Sequence, residues 1–152
     1  MNSIPDLEIL LVEDNEADAD LIAEGLTKTK LRCELRLVED GQAALDYLNR
    51  RPPYSTVLLP SLILLDLNLP RKSGLEVLAE IKSNSRLRRI PVLVLTSSQS
   101  EADVYAAYDQ GANSYLRKPG SLAEVYDLMR CVEHYWAALS VLPPATQVPP
   151  VI

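Results

Sequence analysis

The chain has 152 residues and a formal net charge of −6, with 15 Lys and Arg against 21 Asp and Glu. That length holds one domain with one core and leaves little room for a second, and the acidic balance argues against a nucleic-acid partner, whose phosphates it would repel. The composition, 47% apolar and 24% charged, is that of a soluble globular protein. No apolar run approaches the ~20 residues needed to span a bilayer. Residues 1–10 lack the basic-then-apolar profile of a secretion signal, so a cytoplasmic protein with no membrane partner is expected. Cys33 and Cys131 form no metal-ligand spacing and are expected as reduced, partly buried thiols.

Short apolar runs alternate with helical patterns along the chain. Strands are expected at 7–12, 33–38, 62–65, 91–95 and 114–116, and helices at 17–28, 42–50, 75–84, 101–110 and 122–139. The runs EILLV, LILLD and PVLVLT are nearly continuous in apolar residues, as strands covered on both faces of a parallel sheet must be. Five strands, each followed by a helix, give an α/β fold, a doubly wound five-stranded parallel sheet with helices on both faces. Asn15 is the expected N-cap of the first helix, and Ser121 that of the last, with Glu124 completing a capping box. Gly111 is the expected stop of the fourth helix. Residues 51–61 hold three prolines and read as an inserted surface loop. The domain is expected over 1–139, and 140–152 as a proline-rich mobile tail.

In an open α/β sheet, ligands bind beyond the carboxyl ends of the strands. Glu13 and Asp14 follow the first strand, and Asp66, then Leu67 and Asn68, the third. Thr96 ends the fourth, and Lys118-Pro119 follow the fifth. Three carboxylates gathered at one edge repel one another unless a cation sits among them. Hard oxygen donors with room for water suit Mg²⁺. With an ammonium and a hydroxyl to hold phosphoryl oxygens, the set is equipped to make an acyl phosphate on a carboxylate.

This pattern resembles the CheY-like receiver domain of two-component response regulators, over about residues 7–139. The resemblance implies a flavodoxin-like fold and a phosphoacceptor signalling protein rather than an enzyme with a substrate of its own. Asp66 is then the phosphorylated residue, with Lys118 and Thr96 serving the transfer. Mg²⁺ is held by Asp14, Asp66 and the Asn68 carbonyl, with Glu13 acting through water. A cis bond to Pro119 is expected to set Lys118. Thr96 and Tyr115 form the switch, the tyrosine turning as the threonine moves. Gly120 departs from the pattern, standing where many receivers carry a bulkier residue, and implies a looser loop. The segment DLNLPRKSGLEVLAEIK, the long loop before the third strand and the HYWAALSVLPP end are similar to the stand-alone regulators that partner cyanobacterial phytochromes. That narrower resemblance implies a phytochrome histidine kinase as partner and a homodimer. With no output domain expected after the last helix, signalling would run through protein contacts.

A haloacid-dehalogenase-type phosphatase also uses an aspartate nucleophile. It wants a second acid two residues on, where Asn68 stands, and a nucleophile on its first strand. The five glycines form neither a dinucleotide fingerprint nor a P-loop. His134, the one histidine, lies far along the last helix, so the chain is expected to receive a phosphoryl group rather than donate one from a histidine. That helix carries two apolar stripes: Leu122, Val125, Met129, Val132 and Trp136, then Leu128, Cys131, Tyr135 and Ala138. One stripe suffices for a core. The second, with Val104 and Tyr108 of the fourth helix, is expected to form a dimer interface unless the tail folds back over it.

Overall fold

The computed structural model describes residues 7–28 and 32–143. The strands are β1 (Leu7–Val12), β2 (Cys33–Val38), β3 (Leu62–Leu65), β4 (Val92–Thr96) and β5 (Ser114–Arg117). The helices are α1 (Glu16–Thr27), α2 (Gly41–Leu48), α3 (Gly74–Ser83), α4 (Glu101–Asp109) and α5 (Leu122–Glu133). All strand pairs are parallel, in the order β2-β1-β3-β4-β5. The doubly wound α/β sheet read from the sequence is therefore present.

The period-two geometry of a strand explains why the central strands are apolar throughout. Leu10, Val12, Ile63, Leu65, Val92 and Val94 face one core, which also holds Leu45, Val77, Ile81 and Ala107 from α2, α3 and α4. Leu7, Ile9, Leu11, Leu62, Leu64, Leu93 and Leu95 face the other, packed against Ile22 and Leu26 of α1 and Val125, Met129 and Val132 of α5. Edge strand β2 is covered less completely, with Leu37 44% exposed.

Helix boundaries follow local chemistry. Asn15 caps α1, its Oδ1 accepting from the Asp18 N–H at 3.0 Å. Asp40, Ser73 and Ser100 cap α2, α3 and α4 in the same way. Gly111 follows α4 at φ +99°, a left-handed conformation that an L side chain resists. Ser121 caps α5, while the Glu124 carboxylate accepts from the Gly120 N–H at 3.3 Å instead of reaching Ser121. The capping box is thus closed one residue early.

Three further expectations are corrected. Residues 51–61 are an insertion, but not merely a surface one. Tyr54 and Val57 pack on the core, Leu59 is buried within it, and the Tyr54 ring lies 5.2 Å from that of Tyr47. The last helix changes pitch: after α5, His134–Leu139 is π-helical, and the Ser140 N–H bonds to the Tyr135 carbonyl at 2.7 Å. Among the described residues the cis peptide bond is Pro52–Pro53, and Lys118–Pro119 is not cis. Cys33 is half-buried and Cys131 exposed, with no disulfide between them. No helix among the described residues is long and apolar enough to cross a membrane. The expected tail lies outside the described residues from 144 onward, although Leu142 packs against the α1/α5 core.

Candidate functional site

The parallel register brings the ends of β1 and β3 side by side, Val12 paired with Leu65. The chain then turns outward with its backbone still tied. The Glu13 N–H donates to the Val38 carbonyl at 3.0 Å and the Asp66 N–H to the Val12 carbonyl at 3.1 Å. Glu13, Asp14 and Asp66 consequently offer carboxylate oxygens that all lie within 4.8 Å of one another. Glu13 and Asp66 are buried and Asp14 is exposed, so the group opens to solvent on one side.

The positive charge arrives from β5. The Lys118 N–H bonds the Thr96 carbonyl at 2.9 Å, which fixes where the side chain begins. Its Nζ reaches Glu13 Oε1 at 2.7 Å, Asp18 Oδ2 at 2.9 Å and Asp66 Oδ2 at 3.1 Å. These three contacts position the lysine with a trans peptide bond to Pro119. An ammonium has three donors and all are used. Burial alone would pull the Lys118 pKa down, but its bonds to Glu13, Asp18 and Asp66 outweigh it and hold it above its ordinary range. For Glu13 burial is the larger influence. It pushes the carboxyl up to about 7 against the opposing pull of Lys118 and the Asn15 N–H.

The residues singled out in the sequence fall in different places. Glu13, Asp14, Asp66 and Lys118 are brought together. Asn68 sits at the rim, exposed, its N–H 3.4 Å from Asp66 Oδ1. Thr96 is fully buried at the end of β4, and its Oγ1 accepts from the Ser98 N–H at 3.4 Å. Tyr115 is half-buried against the core, and its hydroxyl donates to the Ser98 carbonyl at 3.2 Å. Its own N–H is taken by the Tyr108 hydroxyl at 3.1 Å. Of the stripe residues, Val125, Met129 and Val132 are in the core as expected, whereas Leu122 is 38% exposed. Tyr108 and Tyr135 are 50% and 55% exposed and Cys131 is exposed, while Val104 and Leu128 are half-buried. Tyr105 and Leu139, which the stripes did not include, are 70% and 63% exposed beside them.

Two residues of the site escaped sequence reasoning. Asp18 binds Lys118, and the only signal for it was its place in the first turn after the Asn15 cap. Gly74 opens α3 directly against the backbone that follows β3. A Cβ there would collide with the Asp66 carbonyl oxygen and lie 2.6 Å from Leu67 Cα.

The donor set fits a hard divalent cation, being all oxygen, with Asp14 exposed to solvent. Among the described residues, the carboxylates of Glu13, Asp14 and Asp66 are the ones that converge closely enough to hold it.

A family profile, the response regulator receiver domain, matches residues 9–130. The response regulator Rcp1 of Synechocystis sp. is 46% identical over 143 residues, spanning 94% of this chain and 97% of its own length. The crystal structure of the phosphorylated cyanobacterial phytochrome response regulator RcpA superposes with a TM-score of 0.86 at 44% identity, covering 90% of this chain and 98% of that one. The Mn²⁺-bound form of Rcp1 gives 0.85 at 45% identity, covering 90% and 99%. The relatives thus include one that carries a divalent metal.

Gly74 yields a direct expectation. Gly74→Ala sets a methyl group against fixed backbone and lowers stability by about 1–3 kcal/mol. Gly25→Ala meets only the flexible Met129 chain at 3.0 Å and one Val125 methyl at 3.3 Å, and costs less. Urea unfolding of both variants checks the order, and equal losses would contradict the close approach.

Proposed function

Because the chain belongs to the response regulator receiver family, we propose that it accepts a phosphoryl group on Asp66 from a histidine kinase and signals through altered protein contacts. The observation that supports this most is the single ammonium of Lys118 set against Asp66 beside a carboxylate pair. In the transfer, an Asp66 carboxylate oxygen forms a bond to phosphorus as the phosphorus–nitrogen bond of the donor's phosphohistidine breaks. The freed imidazole takes a proton from solvent. Lys118 holds a phosphoryl oxygen, and the Thr96 hydroxyl donates to another. A divalent cation, Mg²⁺ in the cell, supplies charge neutralisation at those oxygens. The kinase is proposed to be a phytochrome, from the likeness to RcpA and Rcp1. The same reading puts the chain in the cytoplasm, working through proteins rather than nucleic acids or membranes.

Thr96 and Tyr115 are proposed as the switch. The Thr96 hydroxyl and the Tyr115 hydroxyl both bond Ser98, one at its N–H and one at its carbonyl. A shift of Thr96 toward a phosphoryl group therefore moves the loop that anchors Tyr115.

The protein is further proposed to pair with a second copy of itself through the α4/α5 face. On that face Tyr108, Cys131 and Tyr135 are exposed, and Val104 and Leu128 are half-buried. A groove of mixed polarity between β5 and α5, with Asn113 and Ser114 beside Leu116, Leu128, Cys131, Tyr135 and Trp136, adjoins these residues. A monomer gains nothing from such a patch, and a two-fold dimer buries it on both copies at once.

Three outcomes are expected. Asp66→Asn takes no label from a phosphorylated phytochrome kinase or from acetyl phosphate while its circular dichroism is unchanged; undiminished label on this variant would refute the acceptor. Asp14→Ala, which removes an exposed carboxylate that Lys118 does not neutralise, binds Mg²⁺ at least about tenfold more weakly by calorimetry and melts no lower than wild type in its absence. Equal stabilisation of both proteins by Mg²⁺ would place the metal elsewhere. In sedimentation the wild type is dimeric and the Tyr108→Glu, Leu128→Glu double variant monomeric. A wild type that stays monomeric at high micromolar concentration, with and without acetyl phosphate, would end the dimer reading.

A further inference from the structure

We propose that Asp18 is a positioning residue for phosphoryl transfer, holding the Lys118 ammonium at the mouth of the site. The inference rests on the reading of Asp66 as acceptor. The three partners of the ammonium differ in depth. The Glu13 side chain is 1% exposed, that of Asp66 6% and that of Asp18 35%. Glu13, the nearest at 2.7 Å, pulls the ammonium inward, toward the end of β1. Asp18, at 2.9 Å, pulls from the solvent side. Asp66, at 3.1 Å, is intermediate in exposure. An incoming phosphoryl group approaches from solvent and needs a lysine donor that projects beyond the Asp66 oxygen. Glu13 alone would draw that donor out of reach.

The placement of Asp18 is built into α1. Asn15 receives the Asp18 backbone N–H at 3.0 Å, which fixes the first turn and the direction of the side chain. The carboxylate itself takes no part in that cap, so its removal leaves the helix start intact. When Asp66 becomes an acyl phosphate, the Lys118 donor that now reaches Asp66 Oδ2 passes to a phosphoryl oxygen. The other two stay on Glu13 and Asp18, and the ammonium keeps its place.

The test is the rate of labelling from acetyl phosphate with Mg²⁺, measured against donor concentration. Asp18→Ala and Asp18→Asn are each made alone and in a Lys118→Ala background. Asp18→Ala lowers the maximal rate about tenfold and leaves the half-saturating acetyl phosphate concentration nearly unchanged. Asp18→Asn, which keeps an acceptor oxygen, retains most of the rate. In the Lys118→Ala background neither substitution lowers it further, because the two residues act as one unit. A wild-type rate for Asp18→Ala, or the same fold loss in both backgrounds, overturns the inference. Asp66→Asn, run in parallel, separates the two failures. Label on Asp66→Asn defeats the acceptor reading, whereas label confined to Asp66 with Asp18→Ala unaffected defeats only the role of Asp18.

Discussion

The site depends on one ammonium group. Glu13 and Asp66 are buried next to each other at the ends of adjacent strands, an arrangement that like-charge repulsion and desolvation both oppose. Lys118 offsets both, and it does so from a distance. Its strand β5 is separated from β3 by β4, so with strands about 4.8 Å apart it starts roughly 10 Å away. A long unbranched chain crosses that gap. A single nitrogen with three donors can then serve three carboxylates converging from different elements on one point. The bond from the Lys118 N–H to the Thr96 carbonyl fixes the start of this reach, tying the site to β4 as well.

Much of this was legible in the sequence because the underlying rules are local or topological. Apolar runs such as Ile63, Leu64 and Leu65 can be placed only between two covered faces, and the two cores divide alternate residues of each strand between them. Residues at strand ends converge because parallel strands end at one edge, so Glu13, Asp14, Asp66 and Lys118 could be gathered without a structure. What escaped depends on helix phase and on close approach. Asp18 enters the site because the turn begun at Asn15 aims it inward, and a change of one residue in that start would aim it elsewhere. Gly74 is required by contact with the Asp66 backbone, which no pattern within α3 encodes. The loop at 51–61 looked detached because prolines suggest solvent. Leu59 is buried in the core instead and Tyr54 and Val57 pack against it, although Leu58 remains half exposed. The cis bond expected at Pro119 came from resemblance alone, and here the triple carboxylate contact suffices to place the lysine.

The stripes of α5 show how far periodicity can be pushed. The phase that buries Val125, Met129 and Val132 also fixes which residues cannot be buried, and Cys131 and Tyr135 are accordingly exposed. The amplitude of exposure was harder to read. Leu128 lies at the boundary between the stripes and packs partly against the core, while Leu122, nominally of the inner stripe, sits in the first turn before the helix has closed on the sheet. Beyond Glu133 the π-helical pitch shifts the phase again, leaving Tyr135 edge-on to Trp136 with ring centres 5.0 Å apart.

The geometry also links the two ends of the proposed signal by short steps. Thr96 and Tyr115 meet at Ser98, and Ser98 is held from the other side by the Asp103 carboxylate in the first turn of α4. The Tyr115 N–H, on the open edge of β5, is satisfied by the hydroxyl of Tyr108, itself half exposed on the outer face. The proposed movement of Thr96 need not travel as elastic strain. It has only to break or keep a small number of hydrogen bonds at Ser98, whose partners lie on β4 at Thr96, on α4 at Asp103 and on β5 at Tyr115. Packed interiors respond to such changes by switching between discrete arrangements rather than by bending. Tyr115 and Tyr108 are neighbours by hydrogen bond, so in the proposed switch a change at Tyr115 would be passed to Tyr108 on the outer face of α4, which makes that face the surface on which the state of Asp66 would first be felt.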